Sequence, residues 1–304
     1  MWPMIYKHRS KSDELLTLEI LNKRTDLSSK DKQYLTNLQK GYEGEVLFDS
    51  YTEQLQCDCL IINDLLLELN NTTFQIDSLI FIEKMIHLYE VKNLEGDYFY
   101  ESNKLFKKPK LEVVNPLLQM NRAESLLCQL LRNNGFQPQI EASVVFINPT
   151  FTLYQAPLNL PAIFPTQIQT YMHSLNRTPS KINEHHKRIA DRLLSLHMTK
   201  SLYSKIPSYT FDMLRKGITC KMCDSFAVVI ESRKCVCKEC GHTELVSSAV
   251  LRAVKEFQIL FPGEKITTNA IYEWCQVVSS KERIRYILAN NFTLVGVHQW
   301  SHFV

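Results

Sequence analysis

The sequence predicts an α/β protein in which a mixed sheet is flanked by helices. A helical connector, a small cysteine-bearing ribbon and a short helical C-terminal region follow. Three observations carry this reading. Short apolar runs with strand character follow one another between residues 59 and 102, joined by short turns. A segment with helix signals at both ends, 115–135, separates them from further strand-like runs. From about residue 158 the apolar pattern turns helical. Antiparallel strands, then a helix, then another strand imply a sandwich of helices on a mixed sheet.

In chain order, residues 12 to 55 read as helical. Leu15, Leu16, Leu18, Ile20 and Leu21 begin the segment, and after a turn Ser29 is positioned as an N-cap before Tyr34, Leu35, Leu38, Tyr42 and Val46. Gly41 and Gly44 interrupt that helix at about 1 kcal/mol each relative to alanine, a cost expected where another part of the chain comes close. Four runs predict an antiparallel meander: CLIINDLLLEL, FQIDSLIFI, MIHLYEVKN and DYFYES, with turns at NNTT, EK and LEG. NKLFKKPK reads as a basic loop. Asn115 then caps a helix with Pro116 in its first position and Gly135 at its stop. IEASVVFIN and FTLYQ read as strands. LPAIFPTQIQTYMHSL and SKINEHHKRIADRLLSLHM read as helices, and YSKIPSY as a linker.

Apolar content of 45% and charged content of 22% are ordinary for a globular protein with a real core. The first residues, MWPMIYKHRSKSDE, lack the apolar run of a signal peptide, and no stretch approaches the ~20 apolar residues of a membrane span. The expected location is cytoplasmic. Residues 181–304 hold 18 Lys/Arg against 11 Asp/Glu, and residues 1–180 hold 17 against 21. An acidic front and a basic back suit a part that holds cations and a part that holds an anionic polymer; ordinary compositional drift fits as well. Nine cysteines without an export signal argue against a disulfide framework.

Within FQIDSLIFIEKMIHLYEVKN, the side chains of Glu90 and Lys92 share one strand face because alternation has period two. The turn near Glu83 and Lys84 brings Asp77 opposite Glu90 within a residue or so. Two adjacent carboxylates repel unless one is protonated or a cation lies between them. On spacing alone the alternative is a surface charge cluster on an edge hairpin.

GYEGE, Asp77, the Glu-Val-Lys at 90–92 and NPLLQ opening a helix together resemble the bacterial nuclease-related domain, NERD, over roughly residues 38–150. That domain has the PD-(D/E)XK, restriction-endonuclease-like fold. The resemblance implies that Asp77 and Glu90 ligate Mg²⁺ or Mn²⁺, with the main-chain carbonyl of Val91 as a further ligand. It implies that Lys92 holds the attacking water or balances the phosphate, and that Glu45 completes the metal shell or supports a second ion. Gln119 would orient the lysine or a phosphate oxygen. Ile76 stands where many relatives carry a proline. The activity implied is metal-dependent hydrolysis of nucleic acid, DNA foremost, in processing or defence. A catalytically idle nucleic-acid-binding adaptor is the alternative.

CKMCDSFAVVIESRKCVCKECGH carries Cys220, Cys223, Cys237 and Cys240 in two CxxC pairs, the arrangement of a structural zinc ribbon. FAVVI and RKCV read as its strands, Cys235 as an alternate ligand one position off, and His242 as a neighbour of the site. Cys57, Cys59, Cys128 and Cys275 read as ordinary reduced thiols. Beyond the ribbon, Thr268 is placed to cap one helix, and SSKE reads as a capping box from Ser279 to Glu282 opening another. Lys281, Arg283 and Arg285 on that second helix fit either a helix-turn-helix contact with a phosphate backbone or the solvated face of a small bundle. The domain organisation expected is 1–37 helical extension, 38–157 nuclease-like domain, 158–215 connector, 216–246 ribbon and 247–304 basic tail.

Overall fold

A computed structural model describes residues 3–199, 205–297 and 300–304. The chain forms two compact units, one of residues 1–11 and 36–203, the other of residues 12–35 and 204–304. Tyr203 and Ser204 of the expected linker lie outside the described residues.

The first unit is built on a six-stranded sheet. Its strands, in spatial order, are β1 (Met4–Lys7), β2 (Leu60–Leu69), β3 (Thr72–Ile82), β4 (Met85–Lys92), β8 (Gln139–Phe146) and β10 (Ala162–Ile163). β2, β3 and β4 are antiparallel neighbours, while β1 on β2, β8 on β4 and β10 on β8 are parallel. The sheet is therefore mixed, as expected. The turn between β2 and β3 has Asn70 and Asn71 both at positive φ, 50° and 59°, the conformation of a tight hairpin turn that asparagine tolerates.

Helices cover both faces. On one face α3 (Pro116–Asn133) and α5 (Glu184–Leu196) place Leu127, Leu130, Ile189 and Leu193 against Leu60, Leu79 and Leu88. On the other face α2 (Ser29–Thr52) and α4 (Ile168–Arg177) place Phe48 and Met172 against Ile61, Ile80 and Tyr89. Each such side chain contributes about 1.5–3 kcal/mol on leaving water. Asn115 caps α3 by accepting from the Leu117 N–H at 3.1 Å, Pro116 opens the helix, and Gly135 leaves it at φ 80°. The cap of α2 is Ser28, whose Oγ accepts from the Asp31 N–H at 3.1 Å, and Ser29 is already helical.

Several expectations are corrected. DYFYES does not extend the meander. Its strand β5 (Asp97–Glu101) lies in a second sheet with β6 (Lys104–Lys107), β7 (Leu111–Val113) and β9 (Thr152–Tyr154), in the order β7-β6-β5-β9. The basic loop is thus largely a strand, held by the stacked rings of Phe99 and Phe106 with centroids 5.1 Å apart. Residues 160–164, read as the start of a helix, hold β10 before a short 3₁₀ turn at Pro165–Gln167. Pro161 and Pro165 bracket the strand and keep a helix from starting earlier. β1 was not anticipated at all.

The second unit contains α1 (Asp13–Arg24), a three-stranded ribbon of β11 (Val228–Glu231), β12 (Lys234–Cys237) and β13 (Thr243–Leu245), and three helices. These are α6 (Val246–Leu260), α7 (Thr268–Cys275) and α8 (Lys281–Ala289), followed by the small pair β14 (Leu294–Val295) and β15 (His302–Phe303). α1 packs against α6. Arg24, its side chain fully buried, donates to Glu256 at 2.5 Å and to the carbonyls of Arg215 and Gly217, and lies 4.0 Å over the Trp274 ring. The caps of α7 and α8 are Thr267 and Ser280, not Thr268 and Ser279, each accepting from an N–H three residues on. The third ribbon strand, β13, was not foreseen.

Candidate active site

The ladder between β3 and β4 runs from Ile82 opposite Met85 to Ser78 opposite Tyr89, and there it stops. Beyond that point β4 stays with β8 as far as Lys92, and β3 stays with β2. The strands fork, and the residues at the fork are Asp77 and Glu90. The Val91 N–H, past the end of the ladder, donates to Asp77 Oδ2 at 2.7 Å.

A second irregularity lies at the same level. Core residues on β2 run 60 and 62, then 65, 67 and 69; on β3 they run 81 and 79, then 76 and 74. The alternation reverses at Asp64 and Asp77, neither of which joins the ladder, and Asp64 absorbs the change at φ 57°. Asp77 thereby escapes the apolar face that strict alternation would give it.

Glu45 reaches the site from α2. Next to it, Gly44 lets the helix lie against the sheet: a Cβ there would sit 2.6 Å from Asn93 Cβ and 3.1 Å from Ile147 Cγ2. Gly41 has no such neighbour within 4 Å, so only one of the two glycines serves a close approach.

The anchor of the cluster is a residue that sequence reasoning passed over. Arg9, its side chain 3% exposed, donates to Asp49 through Nε at 2.8 Å and Nη2 at 3.0 Å, and to Glu45 through Nη1 at 2.6 Å. Nη2 also reaches the main-chain carbonyl of Asp77 at 2.7 Å. Asp49 was legible in principle, lying four residues after Glu45 on the same helix face. Arg9 left no signal, because it follows a four-residue strand that itself went unread.

Lys92 Nζ lies 2.6 Å from Glu90 Oε1. Burial, then the charge of Asp77, pushes the Glu90 carboxyl up to about 7 and that of Glu45 up to about 8. Burial also raises Asp77, against the pull of Lys92 and of the Val91 N–H. Burial alone would lower Lys92, but Glu90 and Asp77 outweigh it and hold the ammonium charged. These directions describe carboxylates short of positive charge.

Asp77, Glu90, Val91 and Lys92 open onto a cleft of about 700 Å³, which Gln119, Glu45, Tyr98, Lys107 and Arg122 also line. All five residues expected at the catalytic site therefore border one cavity. Carboxylate oxygens are the donors that suit a hard divalent cation. The three carboxylates are less tightly gathered than the cysteine cluster of the other unit.

In that unit, Cys220, Cys223, Cys237 and Cys240 bring their sulfurs within 4.8 Å of one another, with Cys220–Cys240 and Cys223–Cys237 both at 3.6 Å. A tetrahedral zinc with bonds of about 2.3 Å needs sulfurs about 3.8 Å apart, so the four thiols fit a metal ion. The Cys240 amide helps pull the Cys237 thiol down to about 7. Cys235 is not one of the four. It sits buried opposite Ile230 within the ribbon, its thiol raised to about 11 by burial.

On α8, Lys281 donates to Asn269 at 3.0 Å and lies over the Tyr272 ring, Arg283 is half-buried, and Arg285 is exposed. Among the described residues no helix is long and apolar enough to cross a membrane.

Residues 40–147 match the family model described as the nuclease-related domain. No curated protein matches the chain. Among solved structures, protein VC1899 from Vibrio cholerae matches at 12% identity and a TM-score of 0.25, over 51% of this chain and 38% of that one. The chain thus spans less than half the length of that protein.

Proposed function

We propose that the cleft at the β3–β4 fork is the active site of a Mg²⁺- or Mn²⁺-dependent nuclease that hydrolyses phosphodiester bonds in DNA. The observation that carries the reading is the placement of Asp77, Glu90 and Lys92 on one open cleft, within the segment matching the nuclease-related domain. Asp77 and Glu90 would hold the ion. The Val91 carbonyl would join them: its N–H points to the β3 side to reach Asp77, and in an extended strand the carbonyl of the same residue points the same way. A bound divalent ion supplies an acidified water and neutralises charge on the phosphate.

The chain's own groups do the rest. Lys92 would release its contact with Glu90 to hold the nucleophile or a phosphate oxygen. Gln119 and Arg122, projecting from α3 into the cleft, would orient the phosphate, and Lys107 and Tyr98 would border its path. Glu45 would tune the charge of the cleft. In the second unit a structural zinc would close the ribbon, while Lys281, Arg283 and Arg285 would add phosphate contacts whose affinity falls steeply with salt. DNA processing or defence is the setting this chemistry suits.

A second reading has one observation in its favour. The Lys92–Glu90 contact at 2.6 Å already neutralises one of the two ligands, as befits a module that binds nucleic acid without cutting it. Incubation of plasmid and linear DNA with and without Mg²⁺ or Mn²⁺ separates the two. The nuclease reading expects metal-dependent cleavage reduced at least about 10²-fold by Asp77→Ala or Glu90→Ala. Asp77→Ala protein that cuts at the parental rate would remove these residues from the chemistry.

A further inference from the structure

Charged groups of both signs meet at the fork. Glu45, Asp49, Asp64, Asp77 and Glu90 lie among Lys7, Arg9 and Lys92, and Lys40, Lys107 and Arg122 line the same cleft.

The guanidinium of Arg9 lies on Glu45 Oε2 at 2.6 Å and on the Asp77 carbonyl at 2.7 Å, bridging α2 and the β3 side of the fork. Its Nε and Nη2 also donate to Asp49, and its side chain is 3% exposed. It cannot swing away without leaving Asp49 buried and unpaired. Glu45 is thereby turned to a permanent cation. Asp77 Oδ2 is used by the Val91 N–H and Glu90 Oε1 by Lys92, so each spends one oxygen on the protein and keeps the other.

We propose that Arg9 stands in the place of a second metal ion and restricts the site to one divalent cation per chain. Arg9 is in this sense a positioning residue, holding Glu45 out of the metal shell while fixing α2 against β3. The inference rests on the metal-site reading above and narrows the two roles open to Glu45, neither of which it then fills as a ligand.

The test is a count of bound Mn²⁺ on the full chain, with the cysteine site first saturated with zinc. Electron paramagnetic resonance of free Mn²⁺ in the absence of nucleic acid gives the number bound. The expected result is one ion for the parent, one for Arg9→Lys, which keeps the charge, and two for Arg9→Gln, which vacates it. Two ions on the parent, or one on a folded Arg9→Gln protein, would overturn the role of Arg9 and leave the metal-site reading standing. No Mn²⁺ on the parent would overturn both. If Arg9→Gln does not fold, the parent and Arg9→Lys counts still decide, since two on either is incompatible with the proposal.

Discussion

Gly41 and Gly44 lie one helical turn apart on α2, and replacing each with alanine should give opposite results. Alanine gains about 1 kcal/mol over glycine in a helix interior, and this term is common to both changes. At Gly41 nothing lies within 4 Å of the added methyl, so the gain should appear in full. At Gly44 the methyl would meet Asn93 Cβ at 2.6 Å and Ile147 Cγ2 at 3.1 Å. Ordinary carbon contacts begin near 3.5 Å, so helix or strand must retreat by about 1 Å. Asn93 Cβ sits directly on the backbone of the segment leaving β4 and cannot rotate aside. Overpacking of this kind costs about 1–3 kcal/mol. Gly44→Ala should therefore be less stable than Gly41→Ala by about 1–3 kcal/mol, read as the difference in urea unfolding followed by circular dichroism. Because Glu45 is the next residue, a displacement of about 1 Å should also lower cleavage by up to about 10²-fold. Equal stability of the two variants would show that α2 does not rest on Asn93 as described.

The raised carboxyl groups fix a sign for pH. A folded state that holds protons longer than the unfolded chain loses stability as pH rises between the ordinary carboxylate range and about 8. Zinc-loaded protein in Mg²⁺-free buffer should melt at lower temperature at pH 8 than at pH 6, and added Mg²⁺ should remove the difference; a higher melting temperature at pH 8 without Mg²⁺ contradicts the assignment. Elemental analysis should find one zinc per chain, lost in Cys223→Ser and retained in Cys235→Ser. Arg24→Ala should destabilise the protein by about 1–3 kcal/mol, because Glu256 keeps only Arg252 at 3.9 Å and the Arg215 and Gly217 carbonyls lose their donor; denaturant unfolding measures it.

Where local rules sufficed, the sequence was readable. The β2–β4 hairpins declared themselves through alternation and turn residues, α3 through Asn115, Pro116 and Gly135, and the ribbon through paired cysteines. Counting back along one hairpin brought Asp77 and Glu90 to one level, but not the fork that ends the ladder one pair before them. What failed depended on long-range partners. β1 is four residues long and exists because β2 offers it an edge. DYFYES has the composition of a strand, but the edge of β4 that it would extend is taken by β8 from far along the chain, and it pairs in another sheet. Arg9 joins the site across 36 residues to Glu45 and 68 to Asp77, a closure that no local pattern announces. Cap positions slipped by one residue wherever two hydroxyl residues were adjacent, as at Ser28 and Ser29, Thr267 and Thr268, and Ser279 and Ser280.

The pairing of α1 with α6 sets a timetable for biosynthesis. Arg24 and Glu256 are 232 residues apart, so at roughly 5–20 residues per second the first helix waits roughly 10–45 s on the ribosome before its partner emerges. During that interval Leu15, Leu18 and Leu21, all buried in the finished protein, have nowhere to dock. A nascent chain of this design invites chaperone attention at its leading end, and cutting away either end would orphan the other.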